Sequence, residues 1–249
     1  MVILSNKNNV KYWEIKNQTK ETADLYIYSS ISKWDDEMNC NNIRNEIKKL
    51  GNIKKLNIYI NSPGGDVFEG IAISNFLKRQ NFKKEVYIDA LCASISTVIA
   101  LGCGGTVHMY KNSLLMIHNA WSCVCGNAAE LRKKADDLEI CDKNILSVYV
   151  DKCKEKSSEE DIKKMMDEET WLNSSQSLEF GFIDDIIEED TEKVALLNDF
   201  EGIYNNIPES LKVENHSEKN EKIEMSEETK RILDEAERTL KLYESKEGD

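Results

Sequence analysis

Hydrophobic and polar positions alternate most regularly in LNIYIN, residues 56–61, and this β-rich run passes directly into the turn SPGGD, residues 62–66. The stretch VFEGIAISNFLKRQ, 67–80, then changes period: Val67, Phe68, Ile71, Phe76 and Leu77 fall near a helical stripe. A second strand, EVYIDA at 85–90, leads into LCASIST at 91–97 and an apolar, helix-like run to Leu101. Further β character lies in ADLYIYSSI at 23–31, TVHMY at 106–110 and SLLMIHNA at 113–120. Strand, Gly-rich turn, helix, strand, helix, strand is the order of an α/β domain with parallel pairing.

Beyond residue 120 the pattern is helical. Asn127 and Glu130 have the spacing of a capping pair, and a pattern without Gly or Pro follows to about Lys156. Leu131, Ala135, Leu138, Ile145 and Tyr149 share one side of it. Such a length predicts a helix that projects from the body or packs on another subunit. Ser158 is placed to cap a short helix to about Met166, and SSQSLEFGF at 174–182 predicts another, ended by Gly181. From Glu188 the chain becomes polar, acidic and Asn-rich, apart from a stripe of Ile232, Leu233, Ala236, Leu240 and Tyr243. The expected division is therefore an N-terminal segment 1–19, a folded domain 20–188, and an acidic tail 189–249 with an amphipathic helix over 226–245.

Charge sharpens that division. Of the net −13, residues 186–249 carry −10, from 19 acidic and 9 basic side chains, so the body is nearly balanced. An acidic chain of this kind is not expected to bind nucleic acid, which selects clustered Lys and Arg. Seven cysteines without disulfide spacing, and no leader-like start, predict a reduced cytoplasmic protein. The longest apolar run, Ala90 to Gly102, is too short to span a membrane. Cys123 and Cys125 form a lone pair, so neither a metal nor another cofactor is expected.

The chemistry centres on LCASIST, which sets Cys92, Ser94, Ser96 and Thr97 in an apolar run. A hydroxyl or thiol nucleophile needs a base within hydrogen-bond reach, a group that orients the base, and donors for the oxyanion. Three histidines are present: His216 lies in the charged tail, His108 within a strand, and His118 where a β-like segment ends, the position at which α/β folds place chemistry. Gly64 and Gly65 could bring backbone N–H groups to a substrate carbonyl, and LCASIST could present a hydroxyl at a strand-to-helix junction. Taken singly, each has a structural reading: a packed histidine, a plain turn, a helix cap.

Together they are more specific. YINSPGGDVFEGIAI, DALCASISTVIA, MYKNSLLMIHNAW and DEETWLNSSQSLEFGFIDDI resemble, in order and spacing, the four signature blocks of the Clp protease proteolytic-subunit family. The texture is most similar to the phage head-maturation (prohead) protease branch, and the similarity runs from about residue 20 to 188. The resemblance implies the Clp protease/crotonase-like α/β spiral of ββα units, with the long helix as a protruding handle and the acidic, partly helical tail as an addition. It implies a serine endopeptidase with Ser94 as nucleophile, His118 as general base and Glu169 as the orienting acid, Asp167 being the alternative. Gly65 and Ile95 would supply the oxyanion hole and Gly64 would line the substrate site, while Cys92 becomes a packing residue. Two positions depart from the family pattern: Ala90 stands where a glycine is usual, and Glu169 where an aspartate is.

The same resemblance implies a homo-oligomeric ring, with two stacked rings interlocked by the handle, in the host cytoplasm or a procapsid. The substrate would be capsid or scaffold protein, with no nucleic acid and no membrane involved. Alternatives are an ATP-dependent housekeeping Clp subunit, a crotonase-type acyl-CoA enzyme, a Ser-Lys peptidase, and an assembly protein whose triad has decayed.

Overall fold

The structure, a computed structural model, describes residues 13–32, 39–188 and Asn206. The tail helix expected over 226–245, and most of the tail around it, lie outside the described residues. The elements are β1 (Trp13–Lys16), β2 (Thr22–Tyr28), α1 (Cys40–Lys49), β3 (Lys55–Ser62), α2 (Val67–Lys78), β4 (Lys83–Ala93), α3 (Ile95–Gly102), β5 (Thr106–Tyr110) and β6 (Leu114–Ile117), followed by α4 (Ala128–Cys153), α5 (Glu159–Asp167), β7 (Thr170–Asn173), α6 (Ser174–Phe180) and β8 (Asp185–Ile187). The main sheet has the order β1-β2-β3-β4-β5-β8, parallel from β2 onward, with β1 antiparallel at its edge. Strands β6 and β7 form an offshoot from the upper part of β4. The sequence did not mark β1 or α1, whose short apolar runs are separated by polar residues.

The alternation in β3 has a direct structural meaning. Leu56, Ile58 and Ile60 are fully buried, as are Val86 and Ile88 of β4, so one face of the sheet is core. On the other face Tyr26, Tyr59, Tyr87 and His108 are in register across four strands, with stacked rings 4.7, 5.0 and 5.1 Å apart. A parallel sheet is usually covered on both faces. Here the second face is filled in by a row of rings.

Helices α2 and α3 cover the core face. Gly70 of α2 comes so close to Ile95 that an added Cβ would lie 2.4 Å from its Cγ1, and the Ser74 hydroxyl donates to the Val98 carbonyl at 2.9 Å. The buried face of α2 is therefore Gly70, Ile73, Ser74, Phe76 and Leu77, while Phe68, assigned to the stripe from sequence, is 69% exposed. Close helix contact selected small residues that a hydrophobicity pattern overlooks. In α4 the expected capping box forms between Asn127 and Glu130, and Ile145, Tyr149 and Cys153 are buried. Leu131 and Ala135 are not; the first half of α4 is exposed up to Ile140, so the apolar stripe is core only in its second half.

One irregularity in β4 prepares the site. Ile88 pairs with Ile60 and Cys92 with Ser62, so Asn61 alone opposes Asp89, Ala90 and Leu91. The buried Asn61 side chain fills the break by accepting the Leu91 N–H at 3.3 Å, and the Ser113 hydroxyl reaches the Ile88 and Asp89 carbonyls at 3.0 and 2.9 Å. Below this bulge β4 pairs with β5, above it with β6. Ala90 is not among the residues of positive φ, so its methyl group needs no glycine-only conformation.

Candidate active site

Ser94 follows the last residue of β4 and is the N-cap of α3, with φ 56° and ψ −131°. A side chain seldom occupies that region, and doing so costs about 1–3 kcal/mol, which the surroundings must offset. The Ser94 N–H donates to the Met116 carbonyl at 2.9 Å, and the Ser94 carbonyl accepts from the Thr97 N–H at 3.0 Å and from the Thr97 hydroxyl. The Ser96 hydroxyl lies 2.7 Å from the Ala93 carbonyl and 3.1 Å from that of Ser62, and Thr97 Oγ1 is 2.6 Å from the Tyr149 hydroxyl. Cys92 is fully buried, and that burial pushes its thiol up to about 12, so it stays protonated. Of the four polar side chains in LCASIST, Ser94 alone is not fully buried. Cys92, Ser96 and Thr97 help build the turn that presents it.

The SPGGD turn lies against this elbow. An added Cβ on Gly64, whose φ is +94°, would sit 2.6 Å from Ser94 Cβ and 2.8 Å from the Ala93 carbonyl oxygen. The Gly64 N–H donates to Ser62 Oγ at 3.2 Å and its carbonyl accepts from Ile31 at 2.7 Å, so both its backbone groups serve the turn. What Gly64 offers the site is its missing side chain. Gly65, with φ +147°, bridges in parallel to Ile31, but the bridge uses the Gly64 carbonyl and the Asp66 N–H. Its own N–H is outside that pairing and faces away from Ile31. Ile95 is the first residue of α3, where a helix leaves its N–H groups without intrahelical acceptors.

Strand register explains how the remaining groups meet. Ala93 pairs with Met116 in parallel, and Ile117 pairs with Thr170 in the antiparallel β6–β7 ladder. Ser94, His118 and Glu169 each lie one residue beyond the end of one of three neighbouring strands. His118 Nε2 is 2.7 Å from Ser94 Oγ. Burial pushes the His118 pKa below its ordinary value, and the opposing pull that raises it is the charge of Glu169. The imidazole is thus held neutral near neutral pH and can accept the Ser94 hydroxyl proton.

Glu169 is 8% exposed and has φ +51°. Its Oε1 accepts the backbone N–H of Asn206 at 2.7 Å, and the Asn206 side-chain amide donates to the Glu168 carbonyl at 2.9 Å. Asp167 is elsewhere. Its carboxylate accepts from Asn119 at 2.8 Å and from Lys163 at 2.7 Å, pairings that hold it below the usual carboxylate range, and it lines a cavity of about 400 Å³ with Glu139, Asp142 and Leu146. The structure therefore brings Ser94, His118, Glu169, Gly64, Gly65 and Ile95 together and leaves Asp167 outside. Sequence reasoning missed Asn61, Ser62, Ser113 and Asn206; the first three lie inside segments already singled out, LNIYIN, SPGGD and SLLMIHNA, whereas Asn206 lies in the polar tail.

Elsewhere, His108 is 2.9 Å from Glu85 and 3.3 Å from Asp185, a surface network on the aromatic face. Cys123 and Cys125 are exposed, and among the described residues no group of His, Cys, Asp or Glu is arranged to hold a metal ion. No helix of the described residues is long and apolar enough to cross a membrane.

Known proteins bear on this geometry. The chain is 27% identical over 134 residues to the ATP-dependent Clp protease proteolytic subunit 1 of Streptomyces avermitilis, covering 53% of this chain and 61% of that protein. It thus spans less than two thirds of that relative's length. In structure it is similar to a ClpP1 mutant from Listeria monocytogenes, with a TM-score of 0.58 and 22% identity over 67% of this chain and 91% of the other. The likeness supports the α/β spiral fold. The Clp protease family model matches residues 9–190, and the chain belongs to that family.

Proposed function

We propose that the chain is a serine endopeptidase in which Ser94 is the nucleophile, His118 the general base and Glu169 the orienting acid. The observation that carries this reading is the 2.7 Å contact between His118 Nε2 and Ser94 Oγ at a strained strand-to-helix junction. The buried, neutral imidazole takes the hydroxyl proton as Ser94 Oγ attacks the scissile carbonyl. Negative charge develops on the carbonyl oxygen, which the N–H groups of Gly65 and Ile95 are placed to receive. The protonated imidazole, stabilised by Glu169, returns the proton to the leaving amine, and a water molecule repeats the cycle on the acyl-enzyme. The full Ser, His and acid order favours peptide hydrolysis over crotonase chemistry, which does not require it.

The exposed half of α4 supports the reading of a homo-oligomeric ring, possible as two stacked rings, with the sites inside a chamber. The MIHNAW and DEETW variants support a head-maturation protease that cleaves capsid or scaffold protein. A second biological reading rests on the relative from Streptomyces avermitilis, whose name describes an ATP-dependent proteolytic subunit. The two diverge in one measurement: a maturation protease cleaves procapsid protein without nucleotide, whereas a housekeeping subunit needs an ATP-driven partner to degrade a folded substrate. The peptidase reading itself is tested by hydrolysis of unfolded casein by the full chain. Loss of cleavage in both Ser94→Ala and His118→Ala is expected; retained cleavage in His118→Ala would overturn it in favour of a Ser-Lys enzyme.

A further inference from the structure

We infer that Asn206, which lies past the family blocks, is a positioning residue for the catalytic acid, so that the segment following the peptidase domain helps set the strength of the His118 base. This inference rests on the proposed role of Glu169. Three observations carry it. Glu169 is buried, has a positive φ, and belongs to the turn that joins α5 to β7. The backbone N–H of Asn206 donates to its Oε1 at 2.7 Å, and the Asn206 side chain at the same time fixes the Glu168 carbonyl at 2.9 Å. Asn206 thus grips both the carboxylate and the backbone that carries it.

The physical need follows from the residue type. Glutamate has one more rotatable bond than aspartate, and its terminal torsion is broad and roughly two-fold, so a glutamate left to itself aims its oxygens loosely. A donor held on Oε1 fixes that rotation. A bond from an N–H to an ionised carboxylate is also among the stronger hydrogen bonds, so it holds the carboxylate firmly in one orientation. The oriented charge is what raises the basicity of His118 against the effect of burial. The extra methylene of Glu169 and the extra donor from Asn206 are in this view one device.

The test uses the full-length protein and the rate at which a fluorophosphonate labels Ser94, followed against pH and probe concentration. Asn206→Pro removes the N–H itself, and Asn206→Ala removes only the bond to Glu168. We expect Asn206→Pro to slow the maximal labelling step by about 10-fold with little change in probe affinity, and Asn206→Ala by about 3-fold, in line with one charge-assisted and one neutral hydrogen bond. The acid limb of the pH profile should move to lower pH in Asn206→Pro, because a less well-aimed carboxylate supports the imidazolium less. In a Glu169→Gln background Asn206→Pro should have little further effect, since the two act through one group.

The inference fails if Asn206→Pro labels like the parent, or if its effects multiply fully with those of Glu169→Gln. A uniform loss of labelling with an unmoved acid limb would also overturn it, since that is the mark of general destabilisation. Failure of the underlying reading looks different: Glu169→Gln itself would then label at the parental rate.

Discussion

The proposed nucleophile and the proposed acid are held in opposite ways. Ser94 stands on an elbow fixed from every side, by Met116 above, by the Thr97 hydroxyl and amide, by Ser96 below and by the bare face of Gly64. Glu169 stands on a turn between a short helix and a short strand, and its Oε1 is held by a residue far along the chain. The elbow is maintained by close packing and several hydrogen bonds at once, whereas the buried Glu169 side chain depends on hydrogen bonds for its aim. Changes at the elbow should therefore move stability and activity together, and changes at the acid should move activity alone.

Glu169→Gln is the sharpest separation of the two. It keeps the shape of the side chain and removes the charge, and in comparable triads loss of the acid lowers turnover by about 10⁴. Fluorophosphonate labelling should fall by about that factor while the denaturation midpoint stays near the parental one. A large loss of stability would mean that the acid arm is as structural as the elbow. Gly64→Ala should show the converse pattern, since its methyl group meets Ser94 Cβ at 2.6 Å and backbone at 2.8 Å with φ at +94°. Labelling should drop by about 10² and stability by about 2 kcal/mol or more, measured by urea unfolding.

Two smaller effects extend the comparison. Ser96→Ala deletes a buried hydroxyl that supports the elbow from Ala93 and Ser62, and should cost about 1–2 kcal/mol while Ser94 is still labelled at a measurable rate. Asp89, in the bulge of β4, is a test of the elbow's foundation. Burial raises its pKa to about 6, and the Tyr28 hydroxyl, which donates to it, pulls the other way. A carboxyl whose folded pKa lies above its unfolded value of about 3.9 holds its proton longer in the folded state, so stability falls as pH rises from about 4 through 6. Asp89→Asn should flatten that slope and gain about 1 kcal/mol at pH 7, after allowance for partial exposure. An unchanged slope would place the pH dependence in another group.

These differences also explain what could be read in the chain. The strands β2 to β6, the helix after SPGGD, the capped α4 and the Gly181 stop are local patterns, and they are legible because period and capping chemistry act over a few residues. Ser94 and His118 adjoin strand ends, a local cue, but it took the resemblance of four ordered blocks to single out Ser94 among the polar groups of LCASIST. Phe68 and Leu131 fall on apolar stripes yet are exposed, because an apolar residue on a helix does not reveal which face the rest of the protein covers. Glu169 was preferred over Asp167 on the resemblance alone, and the β6–β7 register, which pairs Ile117 with Thr170, gives that preference a physical reason no local pattern carries. Asn206 was beyond reach, because no local rule points one asparagine of an Asn-rich, acidic segment at a carboxylate 37 positions earlier.

The central claim is that Ser94, alone among the four polar side chains of LCASIST, is an activated nucleophile. Its most direct measurement is the site of the covalent adduct formed by a fluorophosphonate on the full-length protein, mapped by mass spectrometry at several pH values with Ser94→Ala in parallel. The account predicts one adduct, on Ser94, absent from the variant, with a labelling rate whose acid limb lies below the ordinary histidine range because burial lowers the pKa of His118. An adduct on Cys92 or Ser96, or none on Ser94 at any pH, would contradict it.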